Sequence, residues 1–120
     1  MFLRFVITEI DSDSKQPQGL FVAAYTLLES GELSPDEYEQ LHEILTWFSK
    51  NLRAPDVKSA KAIFWFKPDA NDCVNKMWDL VQLLRFHGYL VEMQKYRMLR
   101  KIIYEDSLQV AAVPSRLDVK

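Results

Sequence analysis

The segment Ile63-Phe64-Trp65-Phe66 restricts the fold of this chain more than any other. Successive residues of a strand point to opposite faces of its sheet. Ile63 and Trp65 therefore share one face while Phe64 and Phe66 take the other, and both faces need cover, as in a central strand. Lys67 and Pro68 end the run. An alternative makes Trp65 and Phe66 stacking platforms for a single-stranded nucleic acid, with Lys58, Lys61 and Lys67 on its phosphates. Lys95, Arg97, Arg100 and Lys101 then extend the groove. A sequence pI of about 5.7 and the lack of any nucleic-acid-binding fingerprint favour the core strand.

The flanking pattern supplies the rest of a fold. Leu3, Phe5 and Ile7 alternate with Arg4 and Thr8, a strand signal over residues 2–9, and the polar cluster at 11–18 reads as a loop. Leu20, Ala24, Leu27 and Leu28 recur at helical spacing before a stop at Gly31. The next helix carries the clearest start signal: Ser34 as N-cap, Pro35 in the first helical position and Glu37 completing a capping box. Its apolar stripe is Tyr38, Leu41, Leu45, Phe48 and Leu52, and the short link between the two helices predicts an antiparallel hairpin. A third helix is expected over 71–87, with Val74, Met77, Trp78, Val81 and Leu84 buried; Leu83 and Phe86 fall off that stripe and call for contacts on a second side. Residues 88–96 alternate as a strand, and 101–113 form two strands about the turn Glu105-Asp106-Ser107. The expectation is an α+β domain over 1–114: a helical hairpin plus a third helix packed on a mostly antiparallel sheet, in the order β-α-α-(β)-α-β-β-β, with a frayed tail at 115–120.

The chain has 120 residues, enough for one domain with its own core, and its 3 glycines leave little material for a Gly-rich phosphate cradle. No apolar run approaches the ~20 residues of a membrane-spanning helix, so no membrane partner is expected. Cys73 is the single cysteine, which reads as a buried structural thiol in a reducing cytoplasm. Charge is uneven. Residues 1–49 hold nine acids against two bases, and the remainder thirteen bases against eight acids. Complementary halves of one domain account for this, as does head-to-tail attraction between copies.

Chemical motifs are scarce. The P-loop, dinucleotide, zinc-protease and C-x-x-C patterns are all missing, so neither a cofactor nor a metal is expected. His42 sits among Glu39 and Glu43 as a solvated histidine, and His87 closes the third helix, where the helix dipole suits it; a general-base role has no nameable partner. Tyr104-Glu105-Asp106 has the residue types of an acid/base or metal cluster, but strand alternation separates Tyr104 from Glu105, and Asp with Ser is ordinary turn chemistry. Trp47 is the anomaly. At 100° per residue it lies near Asp36, Gln40 and Glu43 on the polar side of its helix, so it is covered by another segment or belongs to an interface.

The runs GLFxxAYxLxxSGELS, EYEQLHEILTWFSKNLxAP and IIYEDSLQVAAVP, with Trp65-Phe66-Lys67 between them, resemble a family of small uncharacterised bacterial proteins with no assigned activity. The resemblance implies a bacterial, cytoplasmic, stand-alone domain and no functional residue. The expectation for function is a non-enzymatic protein-interaction or regulatory module, self-associating or binding another protein. Trp47, Asp36, Gln40, Glu43, Trp65, Phe66 and Lys67 are its candidate contact residues. A single-stranded nucleic-acid binder is the alternative, and an enzyme of unrecognised type the third.

Overall fold

The computed structural model describes every residue except Lys58. Among them, the second helix starts as its sequence dictates. Glu37 N–H donates to Ser34 Oγ at 3.2 Å and Ser34 N–H donates to Glu37 Oε1 at 3.1 Å, closing the capping box. The other oxygen, Glu37 Oε2, lies 2.7 Å from His87 Nε2. One carboxylate thus joins the start of α2 (Pro35–Asn51) to the end of α3 (Asn71–Phe86). A third helix, α1 (Leu20–Glu29), precedes them, and Gly31 and Gly88, both at positive φ, end α1 and α3 where a side chain would strain the backbone.

The buried arc of α2 is Leu41, Ile44, Leu45 and Phe48, and Tyr38 is exposed, stacked on His42. The stripe is rotated from the expected one because α3 packs along the Ile44 and Trp47 side. Trp47 is half-buried there, edge-on to Phe48 and under the Lys76 ammonium of α3. On α3 the buried set is Cys73, Met77, Leu80, Val81, Leu83 and Leu84, a wider arc than the stripe predicted. Leu83 makes the expected second-side contact, whereas Phe86 is 79% exposed and Trp78 turns edge-on to Phe5 of the sheet at 5.0 Å. A helix wedged between other helices and a sheet buries two flanks, which a single-stripe reading underestimates.

The sheet is antiparallel throughout. Its strands are β1 (Phe2–Ile10), β2 (Pro17–Gly19), β3 (Ile63–Phe66), β4 (Val91–Tyr96), β5 (Lys101–Glu105) and β6 (Gln109–Val113). The order of elements is the expected one with the three-residue β2 added; Pro17-Gln18-Gly19 is too short and polar to signal a strand. β1 pairs along six residues with β4 on one edge, Phe2 facing Tyr96 through Ile7 facing Val91. Its other edge is divided: Leu3 pairs with Phe66 of β3, while Val6 and Ile10 pair with β2. β3 continues against β6 over four residues, and β6 against β5.

Phe66 joins Leu3, Phe5, Ile7 and the helices in the larger core, and Trp65 lies on the opposite face with Leu99, Val110 and Ala112. Both faces of β3 are thus covered at Trp65 and Phe66, while Phe64 stays exposed. The second cover comes from curvature. β4 and β5 stand at opposite edges of β4-β1-β3-β6-β5, about 19 Å apart were the sheet flat, yet only Arg97–Arg100 join them. A link that short reaches roughly 17 Å fully extended. The sheet therefore coils about its second face, and Leu99 in the corner plugs it beside Trp65. The tail at 115–120, expected to fray, is pinned to this corner: Met98 and Val119 exchange backbone hydrogen bonds and Asp118 Oδ1 accepts from Arg100 N–H.

Two measurements test this packing. Leu80→Ala removes a fully buried side chain at the centre of α3 and should cost about 2–5 kcal/mol in urea unfolding. Three carboxylates are held below their ordinary range: Glu37 by the Ser34 N–H and then His87, Asp11 by the Ser14 N–H, and Asp106 because bonds from Tyr104, Leu108 and Gln109 outweigh the upward push of its burial. A carboxyl that holds its proton less tightly when folded stabilises the fold above the unfolded value of about 4, and loses that contribution as pH falls through it. The urea midpoint should be flat from about pH 7 to 5 and fall steadily below about 4.

Candidate functional site

The divided edge of β1 leaves a gap. β2 and β3 both lie on that side of β1, but β3 is paired to it only at Phe66, so the two diverge from a point near Arg4 and open a cleft between them. The cleft has a volume of about 540 Å³, within the roughly 300–1,000 Å³ of ligand sites. Its walls are Gln18 and Gly19 of β2, the first turn of α1, Phe48 and Leu52 at the end of α2, and Ala62 to Phe66. Phe5, Leu20 and Met77 supply an apolar floor, while Phe64, Tyr25 and Val22 are exposed at the rim. Gln109 holds the connector in place, donating from Nε2 to Arg53 C=O at 2.7 Å.

Three features bring hydrogen-bond donors or positive charge to the cleft. The first is Arg4, only 7% exposed and in neither of the two ion pairs among the described residues, Lys67–Glu105 and His87–Glu37. Nη2 donates to Pro17 C=O at 2.5 Å, and Nη1 is buried with no acceptor. Burial pulls its pKa down to about 10, so it remains a cation at neutral pH. Buried guanidinium groups ordinarily have a counter-charge, because removing one from water costs several kcal/mol. The second is Trp65, 3% exposed, whose Nε1–H is likewise buried without an acceptor and whose ring lies 6.0 Å from Arg4 Cζ. The third is the N-terminus of α1. Its N-cap is Gly19, no side chain caps it, and Leu20, Phe21 and Val22 bring no acid to its first turn. The unpaired N–H groups and the helix dipole favour negative charge there.

Asp11 and Asp13 also line the cleft. Asp11 Oδ2 accepts from Ser14 N–H at 2.8 Å within its own turn, which Lys15 completes at positive φ, and its charge also acts on Arg4, partly opposing the fall in the Arg4 pKa. A second concavity, about 490 Å³ between Val6–Thr8 and Gly88–Glu92, has no buried polar atom without a partner, and its Arg85 is bonded to Val91 C=O.

The residues singled out from sequence are dispersed. Trp65 and Phe66 are buried on opposite faces of β3, so neither presents an open ring to a base. Lys67 pairs with Glu105 at 2.5 Å, Lys61 is exposed before β3, and Lys95, Arg97, Arg100 and Lys101 are exposed around the β4–β5 corner, where Arg97 Nε donates to Lys120 C=O. Lys58 lies outside the described residues. Asp36, Gln40 and Glu43 are exposed on α2, apart from the cleft. Cys73 is buried, and burial pushes its thiol pKa up, away from reactivity. Asp106 organises the β5–β6 turn: Oδ1 accepts from Leu108 and Gln109 N–H and Oδ2 from the Tyr104 hydroxyl. No group of His, Cys, Asp and Glu suited to a metal occurs among the described residues, and no helix there is long and apolar enough to cross a membrane.

Arg4 was missed by sequence reasoning, and a signal for it existed. In Phe-Leu-Arg-Phe-Val-Ile it shares a face with Phe2 and Val6, so β1 has an apolar second face broken by a single cation. No family model, curated protein or solved structure matches this chain.

Replacing Arg4 by Met keeps the length and removes the unpaired charge. Arg4→Met should leave the unliganded protein as stable as the parent or up to about 2 kcal/mol more stable. Urea unfolding checks it; a loss above about 2 kcal/mol would mean that the guanidinium serves the fold.

Proposed function

We propose that this chain is a non-enzymatic interaction module that receives an extended segment of a protein partner in the cleft between β2 and β3. The observation that carries this is the open edge of β3. The strand pairs fully with β6 but meets β1 only at Phe66, so the edge of Ile63–Trp65 that faces β2 lies along an apolar cleft. Open strand edges take up extended chains through backbone hydrogen bonds, with alternate side chains in pockets. Phe64, 38% exposed beside Tyr25 and Val22, offers such a pocket. Catalysis has less support. His87 is bound to Glu37 and Asp106 is saturated by hydrogen bonds, which leaves neither with a free reacting partner. The resemblance to small bacterial proteins and the lone thiol support a bacterial cytoplasm as the setting.

A random peptide library provides the test. Isotope-labelled protein titrated with selected peptides should show amide shifts at Ala62–Trp65 and Gly19–Val22, and Phe64→Asp should weaken binding at least about tenfold. Shifts confined to other surfaces would sink the proposal.

Self-association has separate support in the outer edge strand β5, where Ile102 and Ile103 are 38% and 47% exposed. Sedimentation equilibrium of the parent and Ile103→Lys decides it: a monomer at high concentration removes this second mode.

A further inference from the structure

The cleft sets an uncapped helix start beside a buried guanidinium, donors that suit an anion, and a protein segment carries one at a fixed place. We infer that the module reads the C-terminal carboxylate of its partner, seating it against the first turn of α1 and Arg4, with the preceding residues extended along β3. The inference rests on the proposed role of the cleft and adds the chemistry of the end it recognises.

Two independent observations meet at this point. The N-terminus of α1, a ten-residue helix, is uncapped and opens on the cleft through Gly19, Leu20, Phe21 and Val22. Arg4, more than nine-tenths buried on the same wall, has one arm of its guanidinium fixed on Pro17 C=O just before that helix and the other without an acceptor. Arg4 Nη1 and Trp65 Nε1 are shielded from bulk water. An acceptor that reaches them therefore meets donors that water does not already satisfy, where charge-assisted bonds are strongest. Nη1 is closed to water in the unliganded protein, so binding requires the guanidinium to turn until Nη1 reaches the cleft.

The geometry favours a carboxylate over a phosphate group. Arg4 and Arg53 line the cleft against Asp11 and Asp13, so its side chains carry no net charge and the dipole of α1 adds only a partial positive one, which suits a singly charged carboxylate better than a doubly charged phosphate. The apolar walls of Phe5, Leu20, Phe48, Phe64 and Phe66 suit a hydrophobic last residue. A free C-terminus also supplies the exposed backbone that an open strand edge requires.

The experiment uses the full chain and the tightest peptide from a library displayed with free C-termini, made as the acid and as the C-terminal amide. Calorimetry should show the acid binding about tenfold to a hundredfold more tightly than the amide. Arg4→Met should abolish that difference. Val22→Glu, at the exposed rim of the cleft, places an acid in the first turn of α1 to compete for the same N–H groups; it should weaken the acid by more than it weakens the amide. Equal binding of acid and amide overturns the carboxylate assignment while the cleft remains a peptide site. Binding of neither form, with no amide shifts in the cleft, removes the cleft reading itself. N-acetyl-phenylalanine is titrated alongside. If this free small acid binds as tightly as the peptide, the site belongs to small carboxylic acids and the partner-terminus inference fails.

Discussion

β1 has two edges and three strand partners, and the rest of the molecule depends on how that mismatch is resolved. One edge is given whole to β4, and the other is shared, with β3 at Leu3 and β2 from Val6 onward. Two strands cannot occupy one stretch of edge, so β2 and β3 must part. The helices cover the gap on one side, and the coiled far end of the sheet closes the other. The cleft is therefore a consequence of strand pairing, and the Asp11–Gln16 turn that sends β2 back along β1 is what holds it open.

The same division explains why a cation is tolerated inside. Arg4 stands next to the last residue that joins β1 to β3, on the face that the coiled sheet turns inward. Buried there, it loses hydration and gains one carbonyl partner in return. By contrast, the other polar groups that order the fold, buried or half-buried, have partners. Asp106 accepts from four groups within its own turn, Gln109 ties the connector to that turn, and Glu37 joins two helices. Structural polar groups in this fold come with their partners. Among the described residues, Arg4 Nη1 and Trp65 Nε1 are the two buried side-chain atoms without one, and unsatisfied buried donors are a cost that a purely structural position would shed.

Local signals in the chain were read correctly where the physics is local. The capping box at Ser34 and Glu37 is a matter of residues three apart, and it closes as expected. Alternation in Ile63–Phe66 demanded cover on both faces; Trp65 and Phe66 have it, while Phe64 is left exposed because β3 parts from β1 there. Helix stripes were less faithful. Tyr38 and Trp78 were assigned to buried faces and are exposed, and Ile44, Leu80 and Leu83 are buried instead. Those shifts come from α3 lying between the sheet and α2, a fact of packing that no single helix encodes. Trp47, anomalous in sequence, is half-covered by Lys76 of α3 for the same reason.

The sequence by itself determined the α+β class, the helical hairpin, the central aromatic strand and the paucity of catalytic motifs, because each follows from periodicity, capping or residue type. The tertiary structure alone decided that the sheet coils, that its first strand is shared, and that Arg4, the first turn of α1 and Trp65 converge on one cleft. Those residues are about sixty positions apart at the extremes, and register between distant strands is set by the packed core rather than by any local pattern. A binding site made of one strand residue, one uncapped helix end and one indole has no contiguous motif to detect, since each part is unremarkable until the fold brings it to the others.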